Sequence, residues 1–373
     1  MSRKLDIGLK TTLSLIEQFQ STLSSTQPTS APVNNEQDKT LDPLPLLSTA
    51  STALKSHVTK LSLLAITSPF THSAVVTILS ALNESVLPSL VTAALLVTPE
   101  THTKAFQTEI RLLANAALKE LSSLAREVQT VAEEKADKKS LDQAEKDAVT
   151  VAAGRVWDAC DVVIDVAAKG VIGFVVRRAE QYRDLVRDAV EEIEDWDPDE
   201  DENEFFDDLL GGDGKVGAGD DEDSDDEDED KDEDEDEDEE SAALHARKKD
   251  TLRILKPVAQ IYPAIISNRL KKVPTPLTPP SVSALESLMK NLQQIPDHID
   301  EVAGALYEAD VDKYTTQLRK TKGCASKAIE LVVLPWNEKD TAGDKFTTWS
   351  KTWTKVVEEV SKSIYESAGV KPA

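Results

Sequence analysis

Between Asp220 and Glu240, nineteen of 21 residues are carboxylates. No compact arrangement buries such a run, because like charges repel and no apolar surface offsets the loss of chain entropy. The run dominates the charge of the whole chain. Residues 191–240 hold 32 of the 69 carboxylates and two lysines, a net of −30 against −27 overall. The rest carries 37 acidic and 40 basic residues, a net of +3, so the acidity belongs to one segment and the body around it is nearly neutral. A disordered acidic segment over 197–241 is the expectation.

On either side the apolar residues recur at three and four, the period of amphipathic helices, and sheet signals are nearly absent. Helices are expected over about Arg3–Ser25, Leu44–Ile66 and Thr71–Val97, the last bent at Pro88. A fourth begins near Pro99 and carries a stripe of Phe106, Ile110, Leu113, Ala117, Leu121, Leu124, Val128 and Val131. From about Leu141 a helix places Val149, Ala152, Val156, Cys160, Val163 and Ala167 on one face, with Gly170 and Gly173 loosening it before Phe174–Ile193 continues the pattern. Beyond the acidic segment, helices are expected at about Ala242–Lys272, Ser281–Ala309, Val311–Val333 and Asp344–Ser367. Long amphipathic helices joined by shorter loops give an all-α fold of two antiparallel bundles, about five helices each. The expected domains are 1–170 and 171–373, the second interrupted by the acidic segment.

Several function classes find no support in the residues. Two cysteines, Cys160 and Cys324, sit inside helical patterns, which fits free buried thiols in a reducing compartment. The beginning lacks the uninterrupted apolar core of a secretory signal, and the apolar stretch Leu87–Val97 is broken by Pro88 and Ser89 and too short to span a bilayer. A soluble protein of the nucleus and cytoplasm is expected, with no membrane partner. The five histidines are scattered without a metal-site spacing, and Asp297, His298, Asp300 and Glu301 point in different directions along one helix. Gly212, Gly214 and Gly217 spell G-x-G-x-x-G, but no strand precedes them and carboxylates surround them, so they read as a hinge. No catalytic residue, metal ligand or cofactor is expected.

The remaining features concern binding. Ser224 precedes three carboxylates, the context of an acidophilic-kinase phosphosite. Phe205, Phe206, Leu209 and Leu210 stand among carboxylates, as in a segment that folds onto a partner or docks on its own bundle. Residues 220–240 could also hold a basic protein such as a histone. Basic clusters at Arg247–Lys249 and at Arg269, Lys271 and Lys272 are too short for a DNA-binding region, and their acidic neighbour competes with phosphate, so direct nucleic-acid binding is not expected. Leu285, Leu288, Leu292, Ile295, Ile299, Val302 and Leu306 form a seam that suits a zipper or an internal bundle helix. Pro296 within it favours the latter.

Gly154-Arg155-Val156-Trp157-Asp158-Ala159-Cys160-Asp161, followed by Leu185-Val186-Arg187-Asp188-Ala189-Val190-Glu191-Glu192, resembles the cyclin-D-interacting protein family. Ile299–Tyr307 is similar to a family helix ending in Leu-Tyr, although Glu308 and Ala309 stand where the family tends to proline. The resemblance spans about residues 45–370. It implies a two-bundle fold akin to those of vinculin, catenin and talin, no enzymatic activity, and binding of a cyclin or transcription regulator by sequestration. By residue pattern, Val156 and Cys160 belong to the buried stripe. Trp157 and Asp161 share the neighbouring face, and Trp157 is either core, a contact between bundles or a contact to a partner; Asp158 is placed to pair with a basic helix. The alternatives to a regulatory adaptor are an acidic histone-binding chaperone and, from fold analogy alone, a cytoskeletal scaffold.

Overall fold

The computed structural model describes residues 2–25, 42–134, 141–199, 230–336 and 343–367. Among them every regular element is helical and no strand occurs. The helices are α1 (Arg3–Ser24), α2 (Pro43–Ile66), α3 (His72–Ala81), α4 (Leu87–Leu96), a single turn α5 (Pro99–His102), α6 (Lys104–Glu134), α7 (Gln143–Asp195), α8 (Asp230–Asn268), α9 (Pro279–Tyr307), α10 (Val311–Leu331) and α11 (Lys345–Ser367). They form two compact units. Unit 1 takes Met1–Phe174 and Thr275–Glu286, and unit 2 takes Val175–Pro274 and Ser287–Ala373.

In unit 1, α1 packs on α6 and α3, and α2 packs on α4. Local chemistry sets where these helices start. Asp42 accepts a hydrogen bond from Leu44 N at 3.1 Å, with Pro43 opening α2. Asp142 and Glu145 exchange side-chain and backbone bonds of 2.7 and 2.8 Å, a reciprocal capping box at the head of α7. The sequence places a bend at Pro88; instead the helix passes it through a π turn, Leu82–Val86, that joins α3 to α4. Pro88 has no N–H for the Glu84 carbonyl and its ring would crowd that oxygen, and the wider turn just before it makes room. By length and composition His72–Leu96 would pass for a membrane span, which the broken-stretch reading did not anticipate. Val75, Leu79, Leu82, Leu87, Leu90 and Ala94 are buried in unit 1, so its apolarity is that of a core helix. The helix expected from Pro99 is likewise split, at Thr103 (φ 74°), whose hydroxyl caps Phe106 N while Glu286 accepts Lys104 N at 2.8 Å.

Helix α7 holds one non-helical residue, Gly170 (φ 63°, ψ −166°). An L side chain is strained there and glycine is not, which places the interruption at this residue. In unit 2, α8 packs against α10 and α11, which also touch each other. The seven-residue seam of α9 is buried throughout, as an internal helix requires, and the helix continues through Pro296.

Residues 200–229 lie outside the described residues, and with them Phe205, Phe206, Leu209, Leu210, the three hinge glycines and Ser224. Over 230–241 the backbone is helical, as the first turns of α8. Extending a helix already nucleated at 242 onward needs no new nucleus, and acidic residues are favoured near the positive end of the helix dipole.

Candidate functional site

The motif helix α7 presents two faces. Val149, Val156, Cys160 and Val163 are fully buried, and Ala152 and Ala167 nearly so, as the three-four spacing requires. Burial, with the Asp161 carboxylate beside it and Lys55 opposing, pushes the Cys160 thiol up to about 12. A thiol so held stays protonated and is no nucleophile. Asp161 is exposed and accepts from Lys55 Nζ at 2.6 Å, tying α7 to α2 at the surface. Trp157 is half-buried, and its indole Nε1 is enclosed without a hydrogen-bond partner. Asp158 is exposed.

The outer face of α7 in unit 1 is mixed. Val151 and Val162 are 53% and 42% exposed, with exposed Arg155 and Asp158 between them at steps of four, three and four. Those four side chains form one stripe, two apolar ends around a pair of opposite charges. In unit 2 the second motif also has a buried and an exposed face. Val186 is buried and Leu185 is 55% exposed. Arg187 lies within 3.7 Å of Asp184, Asp188 and Glu191, an exposed charge ladder.

Past the end of α7, unit 2 gathers residues that no local pattern connects. The rings of Trp196 and Tyr307 meet at 4.8 Å, and the Tyr307 hydroxyl donates to Glu192 at 3.4 Å. Burial and the Glu192 charge push that phenol up to about 12. Lys256 pairs with Glu194 at 2.7 Å, and Lys248 Nζ donates to the Trp196 carbonyl, capping the end of α7. Asp199 accepts from the Ser241 hydroxyl and pairs with His245 Nε2 at 3.0 Å, and these bonds hold its carboxyl below the usual range. The two ends of the segment 200–240 therefore meet. Ligand atoms of Asp197, Asp199 and His245 lie within 4.8 Å of one another, but all three residues are exposed and the Asp199 carboxylate is already bonded.

Two basic groups depart from the sequence reading. Lys248 serves the α7 carbonyl end, and Arg269 is buried rather than part of a surface cluster. Its guanidinium makes two bonds of 2.8 and 2.9 Å to Asp344, donates to the Val332 and Val333 carbonyls, and lies 4.3 Å from the Phe346 ring. The Asp344 carboxyl is held far below its usual range, first by Arg269 and then by Thr347. Asp297, Asp300 and Glu301 are exposed, the solvated face expected of them.

No curated protein matches the chain. Residues 46–199 match the family model described as Grap2 and cyclin-D-interacting, N-terminal. The match takes in α2 through the end of α7, including the first two motifs and the mixed stripe, and leaves the Ile299–Tyr307 motif outside it. Through residues 46–199, the chain is similar to the Grap2 and cyclin-D-interacting family.

Proposed function

We propose that the protein is a non-catalytic adaptor of the nucleus and cytoplasm that holds a D-type cyclin or a transcription regulator on its helical surface and so sequesters it. The observation that carries this reading is the family match over residues 46–199, inside which lies the mixed stripe Val151, Arg155, Asp158 and Val162. Apolar anchors flanked by charges suit a helix-on-helix contact, where the apolar pair supplies affinity and the charges set register. Such a complex acts by occupancy and needs no cofactor.

The test is a binding isotherm between the purified full chain and a D-type cyclin, repeated with the double variant Val151→Glu, Val162→Glu. Both positions are solvent-exposed, so the variant keeps the fold. Loss of tenfold or more in affinity, about 1.4 kcal/mol, supports the stripe as the surface. Unchanged affinity removes it.

The second reading, an acidic histone-binding chaperone, is favoured by nineteen carboxylates within the 21 residues from Asp220 to Glu240. Binding of that kind weakens steeply with salt. Histone retention that disappears on deleting residues 213–240 would favour it over the adaptor.

A further inference from the structure

Two helix faces of unit 2 meet around an open position. On α9, Asp300, Gly304 and Tyr307 follow one another at steps of four and three and so share one side of the helix. On α7 the facing pair is Glu192 and Trp196, one turn apart, with the Trp196 N–H bonded to the Glu192 carbonyl at 2.9 Å. The faces are joined by the ring contact between Trp196 and Tyr307, tilted by 59°, and by the bond from the Tyr307 hydroxyl to Glu192. Gly304 stands in the middle of its stripe, and a Cβ there would meet no atom within 4 Å. Bare helix backbone therefore floors a notch that has two half-buried rings at one end of the α9 stripe and the exposed Asp300 carboxylate at the other, with exposed Glu192 beside the rings.

The charge around the notch is one-sided. Some loss of hydration, and then the charges of Asp297, Glu192 and Glu301, push the Asp300 carboxyl above its usual range, and all three of those charges are negative. Lys313 is engaged by Glu301 and Glu308 at 3.7 and 3.5 Å, and Lys256 by Glu194. Among the described residues no lysine or arginine pairs with Glu192 or Asp300. Like charges held together disfavour one another, and a cation brought between them relieves that repulsion. A metal ion would draw nothing from hydrocarbon rings and an open glycine. A lysine uses every part: its stem covers apolar surface, its ammonium is attracted to an aromatic face within about 6 Å of the ring centre, and its three rotatable donors suit carboxylates offered singly by two helices.

We infer that the notch over Gly304, between α7 and α9 in unit 2, takes a lysine side chain from a basic peptide segment of a partner protein. The stem lies over Gly304 and against the rings of Trp196 and Tyr307, and the ammonium donates to Glu192 and Asp300. The site is separate from the α7 stripe in unit 1 and from residues 220–240, and stands whether or not either of those binds.

The experiment follows the tryptophan indole N–H signals of the isotope-labelled full chain by NMR as an acetylated glycine hexapeptide containing two lysines is added at 0.15 M NaCl. The Trp196 signal is the one missing from Trp196→Phe. The expected result is saturable movement of that signal, with binding at least fivefold weaker in Gly304→Leu, Glu192→Gln and Asp300→Asn and changed less than twofold in Asp188→Asn and Glu359→Gln. Asp188 and Glu359 are exposed in the same unit and report general electrostatics. Gly304→Leu puts a stronger helix former where there is room for it, so its thermal midpoint should not fall, and a lost signal shift there reports the filled notch rather than unfolding. The same peptide with norleucine in place of lysine should leave the signal unmoved. Movement that persists in Gly304→Leu places the peptide on the acidic run and overturns the notch; no saturable movement, or equal loss in all four charge variants, overturns it as well. If the signal moves with protein concentration alone, the occupant is a lysine of a second copy, and assignment to a partner protein is wrong.

Discussion

The two units differ in how far buried polar groups link their helices. In unit 1 each buried hydroxyl bonds within its own helix or cap: Thr12 to the Gly8 carbonyl, Ser51 to Leu47, Ser62 to Thr59, and Thr103 to Phe106 N. Unit 2 has such hydroxyls too, Thr321, Ser350 and Ser361 among them, but there other buried polar groups also link one helix to another. Thr251 meets Tyr314, Tyr262 donates to the Leu292 carbonyl at 2.8 Å, and Trp353 donates to Pro257 at 2.9 Å. Arg269 joins the end of α8 to the chain after α10 and to Asp344 at the head of α11. Unit 1 is therefore held by apolar packing, which specifies burial but little geometry. Directional bonds between helices add geometry to unit 2. Asp199 and Ser241, which flank the segment 200–240, both belong to unit 2.

The contrast can be broken by mutation. Phe106 is fully buried and meets Phe174 edge-on at 5.5 Å, so Phe106→Ala should cost unit 1 about 3–5 kcal/mol through lost transfer energy and a cavity. Hydrogen exchange should report that loss in α1–α6 and leave α8–α11 protected. Next in size, Arg269→Met should cost unit 2 about 3 kcal/mol, because it removes a buried charge together with the bonds to two carbonyls and Asp344. Four of the five tryptophans, all but Trp157, lie in unit 2, so tryptophan fluorescence during urea unfolding follows that loss. Equal sensitivity of both units to either change would dissolve the comparison.

Acid sharpens it. The carboxyl of Asp344 is lowered in the folded state, so its contribution is present above the unfolded value near 4 and is lost as pH falls below it. Circular dichroism and fluorescence between pH 5 and 2 should show unit 2 loosening first, and Asp344→Asn should remove that pH step. Tyr314→Phe deletes one buried inter-helix bond and should cost about 1 kcal/mol. The smallest effect belongs to the surface of unit 1. Lys55→Ala breaks the exposed pair with Asp161 and should cost no more than about 1 kcal/mol, measured by thermal unfolding.

What was legible in the sequence follows the same division. The α9 seam and most of the α6 stripe are buried where periodicity places them, because hydrophobic spacing is local information. Leu113 is only half-buried while Ala114 and Leu118 take the core, a drift of one residue along the helix face. Gly170 could be read as a bend because glycine alone signals backbone freedom there. The long-range polar links could not be read. Arg269 and Asp344 are 75 residues apart, His245 and Asp199 are 46 apart, and neither pair has a spacing signature. Arg269 beside Lys271 and Lys272 looked like surface charge, since nothing local distinguishes a buried arginine from an exposed one. Of the candidate site, the motif residues on α7 were visible as sequence, whereas the stripe Val151, Arg155, Asp158 and Val162 needed burial to separate it from the core face.

The most direct test is the affinity of a D-type cyclin for the full chain and for a variant lacking residues 213–240, each measured between 0.05 and 0.5 M NaCl. The account predicts affinities within about twofold of each other and a shallow salt dependence, because it proposes a contact on the helical surface and not in the acidic run. Binding that vanishes with the deletion and falls steeply with salt would contradict it and place recognition in the acidic run.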